Sequence, residues 1–190
     1  MKMKSPAPHL MASLLALTVL LAAKPAAADS GTGATQPELL VGPVLGAQLT
    51  SRQVGAVDLG PGASNVGLAA LLAIDGGSLL LGLDAAYVPL VQGAIGDEAV
   101  DAHGAWAALS LGHALRAGDH RLGAALLAAV DARWSHLSRG DSSHDTRVDA
   151  GLRLLYDHHV GEHLALGLRA DGLVFSGPTV RVLASLGVRL

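Results

Sequence analysis

The sequence predicts an all-β chain: an up-and-down antiparallel barrel of eight strands behind a leader segment. Three observations predict it. Apolar residues recur at every second position through most of residues 38–190, the period of a strand and not of a helix. Glycine recurs inside the same segments, where a helix would lose about 1 kcal/mol at each one. The segments are joined by alternately short and longer Gly- and Asp-rich connections, as consecutive hairpins are.

The leader comes first. Lys2 and Lys4 precede the apolar run LMASLLALTVLLAA at 10–23, and KPAAADS follows. A basic start, a short apolar stretch and a small-residue site describe a secretory signal peptide, with cleavage expected after Ala28. The run falls short of the ~20 residues that a spanning helix needs. The chain then divides into a signal peptide at 1–28, a short N-terminal segment at 29–37 and a barrel at 38–190. It has no cysteine, so neither a disulfide nor a thiolate metal site supports it. All three lysines lie in the leader, which leaves ten arginines against sixteen acids, a net charge of −6 beyond residue 28. That balance argues against nucleic acid as a partner, because such binding needs a basic footprint. Only three of the acids are Glu. A protein solvated on all sides covers itself with Lys and Glu, and this one does not.

Eight strands are expected, at 38–50, 64–75, 78–90, 102–116, 120–136, 146–158, 162–175 and 178–190. In SLLLGLDAAY, Leu79, Leu81, Leu83, Ala85 and Tyr87 share one row against Leu80, Gly82, Asp84 and Ala86. In RVDAGLRLLYD, Val148, Ala150, Leu152, Leu154 and Tyr156 oppose Arg147, Asp149, Gly151, Arg153 and Asp157. The segment AALLAAVDARW could by itself pass for a helix, but its neighbours argue strand. At the start of the fourth strand Asp101 and His103 share the parity of Ala105, which a bulge there would repair. The connections at 75–78, 117–119, 159–161 and 176–178 are short. Those at 51–63, 91–101 and 137–145 are longer loops, and both ends of the barrel fall on the side of the short turns.

Which row faces lipid or water depends on three further features. One row collects Asp84, Asp131, Arg133, Asp149, Arg153, Asp157, Arg169, Asp171, Arg181 and Arg189, five charges of each sign among Gly, Ala and Ser. Arginine pairs with carboxylates through a planar fork, so a balanced set suits an enclosed network. The five aromatics Tyr87, Trp106, Trp134, Tyr156 and Phe175 fall near strand ends, where a membrane interface places them. The opposite row carries no charge across the middle of the well-formed strands. The expectation is a barrel with lipid outside and ion pairs inside, in contact with outer-membrane lipid.

From about Glu38 to Leu190 the chain resembles the small eight-stranded outer-membrane barrels, the OmpA-like and OmpX-like family. The ending carries the best local match. Val182, Ala184, Leu186, Val188 and Leu190 occupy the alternating apolar positions that the barrel-assembly machinery reads in that family. The resemblance departs at the last residue, Leu190, where the family usually has Phe or Trp, and in the scarcity of girdle aromatics. It implies a cell outer membrane location, no cofactor and a structural, envelope-integrity or surface-interaction role, with an extracellular ligand as a candidate partner of the loops.

Eight strands enclose an interior just wide enough to be filled by side chains, so no large pore is expected. The enzyme alternative rests on RWSHLSRGDSSHD. His136 and Ser138 form a His-x-Ser pair, and Asp145 or Asp149 is the candidate orienting acid, faintly similar to the outer-membrane lipid A deacylases. The motif stands two strands too early for that family, and no Glu follows until Glu162. Arg139-Gly140-Asp141 in the same loop is a three-letter match to an adhesion motif. His158, His159 and His163 surround one turn, with His120 expected on the same rim, but their spacing lacks a register that converges on a metal, so none is expected. A third alternative is a soluble periplasmic, lipocalin-like barrel holding an apolar ligand.

Overall fold

The computed structural model describes residues 37–50, 52–74, 78–95, 98–136, 142–175 and 178–190. The expected signal peptide, most of the 29–37 segment, Ser138 and the Arg139-Gly140-Asp141 tripeptide lie outside the described residues. Nine β segments form one sheet: β1 (Glu38–Thr50), β2 (Arg52–Val54), β3 (Val57–Ile74), β4 (Leu79–Ile95), β5 (Glu98–Ala117), β6 (His120–His136), β7 (Ser142–Val160), β8 (Leu164–Leu173) and β9 (Thr179–Arg189). Every ladder is antiparallel, and β1 pairs with both β3 and β9, which closes the sheet on itself. The three-residue β2 pairs only with β3, so the wall has eight staves. The fold is a closed, all-β, eight-stranded antiparallel barrel.

The period-two rows sort to the two faces of the wall. On β6, Leu122, Leu126 and Val130 are exposed while Arg121, Ala125, Leu127, Ala129, Asp131 and Arg133 are buried. The exposure is large: Leu126 is 69% and Val148 73% accessible, whereas Arg153 is 1%. A protein whose hydrocarbon faces outward and whose arginines face inward has the inverse of a water-soluble pattern. Small residues allow the wall to curve. A Cβ on Gly42 would run into the carbonyl oxygen of Leu186, and one on Gly46 into that of Val182. Both sit where β1 meets β9, so the barrel closes on a glycine-lined seam.

The strands run further than the periodicity predicts. Segments expected as loops at 51–63 and 91–101 are largely strand, in β2–β3 and in the β4–β5 hairpin. Part of the expected 137–145 loop likewise belongs to β7, which begins at Ser142. Gly- and Asp-rich composition reads as loop, but ladder pairing between neighbouring hairpin arms overrides it. A bulge does occur next to His103, but on the partner: β4 inserts an extra residue between Val88 and Val91 opposite Gly104 and Ala102. The β5–β6 register is unbroken from Asp101 to Ala117. His103 and Asp101 face outward because that is their proper row.

Candidate functional site: a filled lumen, a folded-in hairpin and two rims

Three tiers of ion pairs occupy the lumen. In the middle, Asp84 accepts from both Arg153 and Arg169. Arg153 also forks onto Asp171 through Nε at 2.7 Å and Nη2 at 2.8 Å, and Ser110 Oγ stands 3.4 Å from its Nη1. Towards the turn end, Arg121 donates to Asp157 Oδ2 at 3.0 and 2.8 Å. Glu38 there has Arg116, Arg121 and Arg189 at 3.5, 3.6 and 4.0 Å and His159 Nδ1 at 3.4 Å. Towards the loop end, Asp131 gathers Arg133, Arg52 and Arg181. Arg181 also donates to Gln48 at 3.0 Å and lies 4.4 Å over the Trp106 ring. Low-dielectric surroundings make such pairs strong but make a lone charge very costly, so both signs must be present in each tier. A cavity of about 10 Å³ beside Asp157, Arg169 and Ser185 has room for about one water.

Of the ten charges expected in the lumen row, nine are buried and Arg189 is half-buried, and their partners differ in kind. Asp149 is buried, and its Oδ1 accepts the backbone N–H groups of Ala150 at 2.9 Å and Phe175 at 2.8 Å, fastening the end of β8 to β7. The sequence reading missed Arg52, Arg121, Glu38, Gln48 and Asn65 as lumen residues. Arg121 shares the parity of Asp131 and Arg133 on one strand, which could have found it. Arg52 lay in an expected loop, where parity has no meaning.

Trp106 corrects an expectation. It is not at an interface but 2% exposed in the lumen, donating Nε1–H to Asn65 Oδ1 at 2.8 Å. Its even number puts it on the inner row of β5, opposite the row of Leu109 and Leu111. Tyr87, Trp134, Tyr156 and Phe175 do face outward or lie at the strand ends.

The mouth is closed from one side. The β2–β3 hairpin crosses from its own wall to β6 and β7, which are not its neighbours in the sheet. Arg52 ties it to Asp131 at 2.9 Å and to Asp145 at 2.9 Å, and Arg147 donates to the Gln53 carbonyl at 3.1 Å. Val54, Val57 and Leu59 are buried with Val88, Val100 and Ala102 beneath it. Gly55, with φ of 62°, makes the sharp turn. Burial pushes the Asp145 carboxyl up, but Arg52 and Arg147 outweigh it and hold it below the usual carboxylate range.

Of the candidate catalytic residues, His136 and Asp145 do not converge, and Ser138 lies outside the described residues. Asp145 belongs to the inner row of β7 and is held by Arg52 and Arg147, whereas His136 is exposed on the outer row of β6. The wall of the barrel separates them.

Across β5, β6 and β7 the outer face changes character in rows. Leu115, Leu122 and Tyr156 form one row, Leu111, Leu126 and Leu152 another, and Ala107, Val130 and Val148 a third. Beyond Ala105, Ala132 and Thr146 stands a row of rings: His103, Trp134 and His144. At the other end Ala117, His120 and His158 close the series, with the His120 and His158 rings stacked at 4.8 Å and His120 Nδ1 2.8 Å from the Tyr156 hydroxyl. From Leu122 to Ala132 is ten residue steps. At about 3.3 Å per residue and a tilt of about 40°, this apolar band is about 25 Å tall.

A closed barrel with an inward ion-pair network, a covered mouth and an outer apolar band across β5, β6 and β7 defines the class of small barrels built for a lipid surround. Among solved structures the chain is similar to Ail, the attachment invasion locus protein of Yersinia pestis, crystallised in complex with the heparin analogue sucrose octasulfate. The TM-score is 0.58 at 10% identity, over 82% of this chain and 100% of that one. It is also similar to Neisserial surface protein A (NspA), with a TM-score of 0.53 at 13% identity over 84% of this chain and 99% of that one. Both are small eight-stranded outer-membrane barrels, and this chain has their fold. No protein-family model and no curated protein sequence matches the chain.

Proposed function

We propose that the protein is inserted in the outer membrane of a Gram-negative cell and serves there as a non-enzymatic envelope or surface-interaction barrel. The observation that carries this reading is the outer apolar band, about 25 Å tall, bounded by a ring row at each end. The likeness in fold to two outer-membrane barrels supports it. In this reading the turn end, with residue 38 and Leu190, faces the periplasm, and residues 1–28 are the export signal. Val182, Ala184, Leu186 and Val188 lie on the outward row of β9, with Leu190 directly after it, consistent with a strand that the assembly machinery reads.

Ail is described with a heparin analogue, but a polyanion suits this rim poorly. Among the described residues the exposed charges at the loop end are Asp58, Glu98 and Asp101, against a part-exposed Arg147 already on Asp145. A neutral or cationic surface partner fits better. The lipocalin-like reading is disfavoured because ion pairs fill the space where its ligand would lie, and the esterase reading because His136 and Asp145 lie on opposite faces.

Membrane fractionation with gel electrophoresis of heated and unheated samples tests the proposal. The expected result is an outer-membrane protein whose unheated form migrates faster than its boiled form. Recovery in the soluble periplasm would overturn the reading. A deletion strain then separates the two roles: entry of a hydrophobic dye rises if the barrel serves envelope integrity, whereas loss of surface binding at unchanged permeability marks an interaction role.

A further inference from the structure

Among the described residues the outer face lacks the cations that usually meet lipid phosphates. No lysine follows residue 24. Each of the nine arginines among the described residues faces an inner acid: Arg52, Arg133 and Arg181 on Asp131, Arg147 on Asp145, Arg153 and Arg169 on Asp84, Arg121 on Asp157, Arg116 and Arg189 on Glu38. What stands at the loop-end border of the apolar band instead is histidine. His103 and His144 flank Trp134 in one row across β5, β6 and β7, and His136 stands in the next row. The His103 ring lies 5.6 Å from Trp134, 5.9 Å from His136 and 6.2 Å from Tyr87.

Resting on the membrane reading above, we propose that His103, His136 and His144 form a binding patch for the phosphate of an anionic lipid headgroup. Their depth is that of headgroups, one and two rows beyond the hydrocarbon-facing residues. Their chemistry is a pair of ring nitrogens that both donate once the imidazole is protonated. Aromatic neighbours supply the amphipathic platform. The titratable groups facing the patch are Tyr87 from β4 and Asp101 on β5, with Ser142 and Thr146 completing the β7 side. Asp101, directly across the ladder from His136, is the internal competitor for that imidazolium. Burial, and then the facing His136, hold His103 below its ordinary value. A lipid phosphate acts in the opposite direction and raises it. The patch is therefore weak in alkali and strengthens as pH falls through the histidine range.

The test uses the full barrel in phosphatidylcholine vesicles, with trace spin-labelled phosphatidylglycerol or spin-labelled phosphatidylcholine as the probe. The ratio of their motionally restricted fractions is read at pH 5.5 and pH 8. The expected result is a severalfold preference for phosphatidylglycerol at the lower pH that falls towards equality at the higher. In the triple variant His103→Gln, His136→Gln, His144→Gln, at least half of the pH-dependent preference is lost while the heat-modifiable fold is kept. Equal preference at both pH values, or a preference that survives whole in a folded triple variant, overturns the patch. Absence of a restricted fraction for either lipid, with no heat-modifiable band, instead overturns the membrane reading on which it rests.

Discussion

Asp84 and Arg153 show how single residues are committed in this protein. Asp84 is fully buried between two guanidiniums, and Arg153 completes a fork onto Asp171. Removing Arg153 strands Asp171 in a low dielectric and leaves Asp84 with Arg169 alone. Arg153→Ala should therefore cost about 3–5 kcal/mol, measured as a fall in the urea midpoint of refolded barrel. Asp145 sets a pH dependence at the mouth. Its carboxyl is held below the ordinary value by Arg52 and Arg147. A lowered folded-state value means that its contribution is full above the unfolded carboxylate value and is lost as pH falls through the lowered one. Acid should thus loosen the mouth in the range below about pH 4, read as faster amide exchange at Val54 and Val57. Asp145→Asn should flatten that dependence.

The β2–β3 hairpin is the element least legible beforehand and the one that covers the mouth of the barrel. Its anchor Arg52 shares Asp131 with Arg133 and Arg181, so losing Arg52 leaves Asp131 still paired. Arg52→Ala should accordingly free the hairpin without unfolding the wall. Limited proteolysis is expected to cut near residues 52–59 in the variant and not in the parent, at a nearly unchanged unfolding midpoint. The β1–β9 seam behaves in the opposite way. Gly42 and Gly46 stand against the Leu186 and Val182 carbonyls, and a side chain at either point separates the strands that close the sheet. Gly46→Val should abolish the heat-modifiable form altogether, because an unclosed edge in hydrocarbon leaves backbone groups unpaired.

The whole molecule is an inverted protein, and this yields its sharpest discrimination. Leu126 sits mid-band in the row of Leu111 and Leu152. Leu126→Arg should destabilise the barrel in vesicles by about 2–4 kcal/mol. If the same change were neutral or stabilising in unfolding measurements, the outer face would be meeting water.

The sequence by itself determined which residues share a face, because a strand alternates whatever its neighbours do. That is why the lumen charges, the outward row from Val180 to Leu190 and the barrel class were readable from residue 38 onward. It also named Tyr87, Trp134 and Tyr156 as outward rings. Tertiary structure decided what alternation cannot encode. It placed Trp106 inside, because proximity to a strand end says nothing of row. It continued the strands through Gly- and Asp-rich stretches read as loops, since pairing between hairpin arms outweighs local composition. It folded β2–β3 across the mouth onto β6 and β7, a contact between residues 79 and 93 positions apart that no local period contains. And it set Asp145 and His136 on opposite sides of one wall, because an inner and an outer row are separated by the sheet itself.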